Sequence, residues 1–163
     1  MYTNTTVKQI LDRKGYQVWS LEPDVTVLEA LAFMAKKNIG AVMVINNGKP
    51  IGIFSERDYA RKVVLNGKNE IDTLLSEVMT RQVIGVGLDY EVEMCLALMS
   101  SKFIRHLPVV NAEHEIVGVI SIGDVVKELV EEQKFVIEQL VHYISGEQKK
   151  PAVPEPVGVT LPQ

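Results

Sequence analysis

The sequence predicts an α+β fold made of two copies of one β-α-β-β-α unit, related by a pseudo-twofold axis and followed by an extended C-terminal helix. Three observations carry this expectation. The segment Ile39-Gly40-Ala41-Val42-Met43-Val44-Ile45-Asn46 aligns with Ile104-Arg105-His106-Leu107-Pro108-Val109-Val110-Asn111 at a spacing of 65 residues. Upstream, the same spacing pairs Val27 with Val92, Leu31 with Leu96, Ala32 with Ala97 and Met34 with Met99. Downstream, with one inserted residue in the turn, Gly52-Ile53-Phe54-Ser55 meets Gly118-Val119-Ile120-Ser121 and Asp58 meets Asp124. The period is too long for a solenoid and there are two copies, so two subdomains facing each other are expected.

Each copy reads alike. A first strand is expected at Gln17-Val18-Trp19-Ser20 and again at Gln82-Val83-Ile84-Gly85-Val86. A helix follows. Thr26 and Glu29 have capping-box spacing, and Val27, Leu31, Met34 and Ala35 fall on one face. Val92, Leu96 and Met99 do the same in the second copy. Val42 to Ile45 and Ile51 to Phe54 form a hairpin around Asn46-Asn47-Gly48-Lys49-Pro50, a strong turn signal. Leu107 to Val110 and Ile116 to Ile120 repeat it. A second helix starts near Glu56 or Ile122, and the first of these stops at Asn66-Gly67. Val7, Ile10 and Leu11 suggest a short helix before the first copy. After Asp124 the helical pattern runs on through Leu129, Val136, Ile137, Leu140, Val141 and Ile144 to a stop at Ser145-Gly146. From Lys149 four of the chain's seven prolines fall together, which reads as an extended tail.

Composition bounds the function. The chain has 163 residues, 47% hydrophobic and 23% charged, enough for one globular unit or two small subdomains with a shared core. A net charge of −4 offers no general attraction to nucleic acid or anionic lipid. A single cysteine, Cys95, rules out a disulfide framework within one chain and fits a reducing compartment. The polar opening residues, Met1 to Val7, lack an apolar signal core, and no apolar run approaches the ~20 residues that span a bilayer. A cytoplasmic protein with neither nucleic acid nor membrane as partner is the resulting expectation.

The chemically informative element is Gly-h-h-Ser-x-x-Asp, with h apolar. It occurs as Gly52-Ile53-Phe54-Ser55-Glu56-Arg57-Asp58 and as Gly118-Val119-Ile120-Ser121-Ile122-Gly123-Asp124, each where a strand turns into a helix. Glycine would let a ligand approach the backbone. The serine hydroxyl and the first free helix N–H groups could hold a phosphate, and the aspartate could accept two hydrogen bonds from a ribose diol. Ser-x-x-Asp is equally a helix capping box that needs no ligand.

Taken together, the repeat and these motifs resemble a tandem CBS-domain pair, or Bateman module, named after cystathionine β-synthase. Similar repeats occur in inosine-monophosphate dehydrogenase and in the gamma subunit of AMP-activated protein kinase. Ser55-Glu56-Arg57-Asp58-Tyr59, Ile104-Arg105-His106-Leu107-Pro108-Val109-Val110 and Val119-Ile120-Ser121-Ile122-Gly123-Asp124 look like small stand-alone members. The resemblance covers roughly residues 8 to 131. It divides the chain into CBS domain 1 at 8–67, CBS domain 2 at 74–131, a helix extension at 132–146 and a Pro-rich tail at 147–163.

The resemblance implies two nucleotide clefts between the copies. In the first, Ser55 and Asp58 match the phosphate and ribose residues. Thr80, Ile84, Gly85 and Ile104 would line the base, Arg105 and His106 would face the phosphates, and Arg57 is a further cation. In the second, Ser121 and Asp124 are the matching pair. Gly15, Trp19, Ser20, Ile39, Gly40 and Ala41 would form the wall, with Lys14 the nearest cation. Arginine suits bidentate phosphate contacts. AMP or ADP is therefore expected to prefer the first cleft, with the second empty or taking a bulkier adenosyl ligand such as NAD(H).

Simpler roles compete for several of these residues. Arg105-His106 could be a surface turn, and Arg57 could pair with Glu56 or Asp58 on an exposed helix start. His106, His114 and His142 lack metal-ligand spacing, so no metal site is expected. Cys95 reads as a buried thiol. Trp19 reads as core, and so do Met34, Met43, Met94 and Met99. Glu128, Glu131, Glu132 and Lys134 read as a solvated helix face.

The functional expectation is a regulatory adenine-nucleotide sensor without catalytic cofactors, acting through an effector protein or its own homodimer built on CBS–CBS contacts. The alternative is a structural or partner-binding pair with ligand-free clefts. An enzyme is not expected: a G-x-G-x-x-G loop, a P-loop and a nucleophile–histidine arrangement are missing.

Overall fold

The computed structural model describes residues 4–145. Within 4–129 the elements are α1 (Val7–Lys14), β1 (Ser20–Leu21), α2 (Val27–Lys37), β2 (Ala41–Asn46), β3 (Lys49–Ser55), α3 (Glu56–Asp58), α4 (Leu75–Val78), β4 (Val86–Gly87), α5 (Val92–Lys102), β5 (His106–Val110), β6 (Ile116–Ser121) and the start of α6 (Ile122–Ser145). Two three-stranded sheets, β1-β2-β3 and β4-β5-β6, each combine one parallel and one antiparallel pairing. The α+β repeat and its C-terminal helix are the observed architecture. Residues 130–145 form a second unit, the far part of α6. The Pro-rich tail at 147–163 lies outside the described residues.

Local chemistry accounts for most boundaries. Thr26 and Glu29 close a reciprocal capping box at the start of α2. Asn47 and Gly48 both take positive φ, 50° and 77°, in the β2–β3 turn. Pro50 sits on β3 beside a register shift at Val44/Ile45, where a missing N–H costs least. The first strands are shorter and later than expected. β1 is Ser20–Leu21 rather than Gln17–Ser20, and β4 is Val86–Gly87 rather than Gln82–Val86. Before β1 the ladder is continued only by Trp19, whose carbonyl accepts from Met43 N–H of β2 at 3.2 Å. The helix after Ser55 is also irregular. Its residues Tyr59–Val64 are π-helical, with Leu65 N–H donating to Ala60 at 3.1 Å.

The two cores are cross-packed. Val7, Ile10 and Leu11 of α1 lie in the second copy's core, with Val86, Cys95, Met99, Leu107, Val109 and Ile120. Leu75, Val78 and Met79, around α4, lie in the first copy's core, with Val27, Met34, Val42, Val44 and Phe54. Backbone bonds stitch each helix in place. Val7 N–H donates to Tyr90 O and Val92 N–H to Thr5 O; Val27 N–H donates to Thr73 O and Leu75 N–H to Val25 O. The motif glycines serve this packing. A Cβ on Gly118 would stand 2.7 Å from Leu11 Cδ1, and one on Gly52 would stand 2.6 Å from Met79 Sδ. The close approach that each glycine permits is to its own chain, not to a ligand.

Other expectations are corrected by burial. Met94 is exposed, whereas Met34, Met43 and Met99 are core. Glu128 is buried and accepts from Arg13 of α1 at 2.8 Å, so it is no part of a solvated face. Cys95 is buried, and burial pushes its thiol up to about 11, far from a nucleophile's range.

Candidate ligand cleft

Each Ser-x-x-Asp element is a closed capping box. Ser55 N–H donates to Asp58 Oδ2 at 2.9 Å, and Asp58 N–H donates to Ser55 Oγ at 3.2 Å. Ser121 and Asp124 repeat the pair at 2.8 and 3.2 Å. The caps are therefore real in both copies. What differs is the capacity left over.

Around Asp58 nothing is left. A carboxylate offers about four acceptor positions. Oδ2 also accepts from Ser55 Oγ at 3.0 Å. Oδ1 accepts from Thr80 Oγ1 at 3.1 Å and faces Lys62 Nζ at 3.0 Å. Lys62 Nζ in turn donates to Thr80 Oγ1 at 3.0 Å. Thr80 is brought there because it pairs with Ile53 of β3 through backbone bonds in both directions. The expected trio Ser55, Asp58 and Thr80 is thus assembled, but its polar groups satisfy one another. Lys62 is a member that the sequence reading missed; its signal was the i,i+4 spacing from Asp58.

Asp124 is less committed. Its Oδ2 takes Lys14 Nζ at 2.6 Å besides the Ser121 N–H, and Lys14 Nζ also donates to Val119 O at 2.8 Å. Among the described residues Oδ1 has no partner, and the side chain is 25% exposed against 10% for Asp58. The Ser121 hydroxyl accepts from Asp124 N–H. Burial alone would raise the Asp124 carboxyl. The Lys14 hydrogen bond, the Ser121 bonds and the Lys14 charge outweigh it and bring the group below 3.8.

Beside Asp124 and Ser121 opens a cavity of about 410 Å³. Its walls are Lys14 and Gly15 at the end of α1, Gln17 and Trp19 leading into β1, Asn38 to Met43, Ile53, His106 and Val119. Every wall residue expected for the second cleft is present except Ser20. Trp19 is held edge-on by Phe33, at 5.9 Å between centroids, with the Lys37 ammonium 4.1 Å from its ring.

The other residues expected of the first cleft have different partners. His106 lies in the second cleft, not beside Asp58. Hairpin register is the reason: His106 pairs with Ser121 across β5–β6, which puts it on its own copy's motif. Its ring atoms lie 3.7 Å from where a Cβ on Gly40 would stand. Burial, the Lys14 charge and Arg105 lower its pKa from 6.5, against the pull of Asp124, so it is a neutral imidazole at neutral pH. Arg57 pairs with neither Glu56 nor Asp58; its guanidinium donates to Phe103 O at 2.5 Å, closing a left-handed helix end. The Arg105 side chain is exposed while its carbonyl accepts from Ile122 N–H. Ile84 and Ile104 pack on the second core, and Gly85 lies against Pro108 O. No metal-binding group of three or more ligands occurs among the described residues, and none of their helices is long and apolar enough to cross a membrane.

Comparison with known proteins agrees with this architecture. The CBS domain family profile matches residues 4–65 and 75–131. The mitochondrial CBS domain-containing protein CBSX3 of Arabidopsis thaliana is 32% identical over 155 residues, 89% of this chain and 74% of that protein. The solved structure of a signal-transduction protein with CBS domains from Burkholderia ambifaria MC40-6 is 39% identical with a TM-score of 0.76, covering 79% of this chain and 96% of that one. The CBS domain pair of protein MJ0100, solved in complex with 5′-methylthioadenosine and S-adenosyl-L-methionine, is 27% identical with a TM-score of 0.69, covering 78% of this chain and 98% of that one. With the repeat, the two sheets and the paired capping motifs, these matches establish that the chain belongs to the CBS domain family as a tandem pair.

Proposed function

We infer that this CBS pair is a regulatory module whose ligand is an adenosyl compound held in the cavity beside Asp124. The observation that carries the reading is the unpartnered Asp124 Oδ1 beside the Ser121 hydroxyl, both on the cavity. An acceptor and a donor 3 residues apart at a helix start suit a ribose diol and an attached phosphate. Trp19 and Ile39 supply apolar wall for a base, and about 410 Å³ lies within the usual range for small-molecule sites. The adenosyl ligands of the related MJ0100 pair support the same ligand class.

This ranks the clefts opposite to the sequence expectation, because the Asp58 acceptors are already filled. Charge narrows the ligand. Lys14 is the cavity's one cation among the described residues, it is tied to Asp124, and His106 is neutral. A ligand with one phosphate, such as AMP, or with none fits better than ADP, ATP or the two phosphates of NAD(H). Binding transmits a signal only through different affinity for two states, so the output passes to an effector protein or to the oligomer. The chain's own groups are assigned no catalytic step.

The second reading, a ligand-free structural pair, draws on the closed caps and the 2.6 Å Lys14–Asp124 pair, which satisfy the site without a ligand. Titration calorimetry separates the two. AMP, ADP, ATP, NAD(H), 5′-methylthioadenosine and S-adenosyl-L-methionine are titrated into the wild type, Asp124→Ala and Asp58→Ala. Heat from at least one adenosyl compound, lost in Asp124→Ala and kept in Asp58→Ala, supports the proposal. No heat from any of them in the wild type leaves the ligand-free reading standing, and loss in Asp58→Ala alone restores the original ranking.

A further inference from the structure

Lys14 is the last residue of α1, and it lines the cavity beside Asp124. Its ammonium donates to Asp124 Oδ2 at 2.6 Å and to Val119 O at 2.8 Å. Oδ2 also accepts from the Ser121 N–H at 2.8 Å, so both lone pairs of that oxygen are engaged. Among the described residues Oδ1 is without a partner. A ribose diol that uses both oxygens of the carboxylate therefore finds one open and one closed. The closed one opens only when Lys14 moves. That movement breaks a charge-assisted hydrogen bond at a partly buried wall, where the carboxylate side chain is 25% exposed, and it leaves a cation without its anion.

We propose that Lys14 selects the ligand by its charge: the cavity takes a nucleoside monophosphate by exchange of the Lys14–Asp124 pair, the ribose diol replacing Lys14 on Asp124 and the phosphate receiving the ammonium. The inference rests on the adenosyl reading of the cavity and narrows it to ligands that carry a phosphate. Exchange leaves both protein charges partnered. Val119 O can hold the ammonium as it turns, since a lysine has donors to spare for a carbonyl and an anion together. A nucleoside without phosphate offers the cation nothing. It either strands Lys14 or settles for Oδ1 alone. The other basic group on the wall, His106, is neutral at neutral pH, so it does not stand in for the ammonium. Lys14 is thus a plug against neutral nucleosides and a ligand for phosphorylated ones.

Titration calorimetry of the full chain with AMP, adenosine and 5′-methylthioadenosine, in the wild type and in Lys14→Met, tests it. The wild type is expected to bind AMP at least about 10-fold more tightly than either neutral nucleoside, the worth of one charge-assisted hydrogen bond. In Lys14→Met, AMP is expected to weaken, because its phosphate now meets an uncompensated Asp124. The neutral nucleosides are expected to bind more tightly, because Oδ2 is open to the diol. Opposite movement of the two ligand classes is the signature, since a merely structural lysine would move both the same way. Shifts in one direction for both classes overturn the proposal. A wild type that binds adenosine or 5′-methylthioadenosine as tightly as AMP also overturns it, while leaving an adenosyl ligand in the cavity; this comparison holds whether or not Lys14→Met folds. No binding of any adenosyl compound by the wild type overturns both the proposal and the reading on which it rests.

Discussion

At the scale of single residues, equivalent positions in the two copies have different capacities. Asp58 and Asp124 occupy the same place in the repeat and cap the same kind of helix. Lys62 and Thr80 fill the acceptors of one, while Lys14 takes only one oxygen of the other. The motif was legible in the sequence, but the spare acceptor was not, because it depends on which distant side chains arrive. His106 adds a pH dependence. The folded chain binds its proton more weakly than the unfolded chain, since burial and Lys14 lower its pKa from 6.5. Its contribution to stability is therefore nil above that value, and stability declines as pH falls below it and through the folded pKa. Proton NMR titration is expected to show His106 titrating below 6.5. A midpoint at or above 6.5 in the free protein would contradict the cavity's electrostatics.

At the scale of elements, the hairpins and capped helices followed from local signals. Thr26 and Glu29 cap α2, Asn47-Gly48 turns the first hairpin, and the motif serines start α3 and α6. The π turn over Tyr59–Val64 and the two-residue first strands had no such signal, since both arise from what the segment packs against. Gly52 shows the same dependence on tertiary partners. Its β3 backbone is pressed against Met79 and the Thr80 carbonyl. Gly52→Ala is expected to destabilise the fold by about 1–3 kcal/mol, the usual cost of overpacking. Thermal denaturation of the variant checks this, and a stability equal to wild type would show that Met79 can simply move aside.

At the scale of the whole molecule, cross-packing ties the two copies together. Leu11 belongs to the first copy in sequence yet is fully buried in the second copy's core. Leu11→Ala is expected to cost about 2–5 kcal/mol. Because each copy's core takes in a helix from the other copy, the two should unfold together. Trp19 fluorescence reports on the first copy and far-ultraviolet circular dichroism on both. Coincident transitions, both shifted in Leu11→Ala, are expected; a Trp19 transition unmoved by the mutation would mean that the copies unfold independently.

The sequence by itself determined the repeat, the α+β class, the caps and the turns. All of these rest on periodicity and on contacts between near neighbours in the chain. Only the tertiary structure decided that Gly52 and Gly118 admit side chains rather than ligand, that His106 belongs with Asp124, and that the Asp58 acceptors are full. The deciding partners, Met79, Leu11, Ser121 and Thr80, lie between 15 and 107 positions away and are brought in by hairpin register and by segments crossing between the copies, which no local pattern encodes.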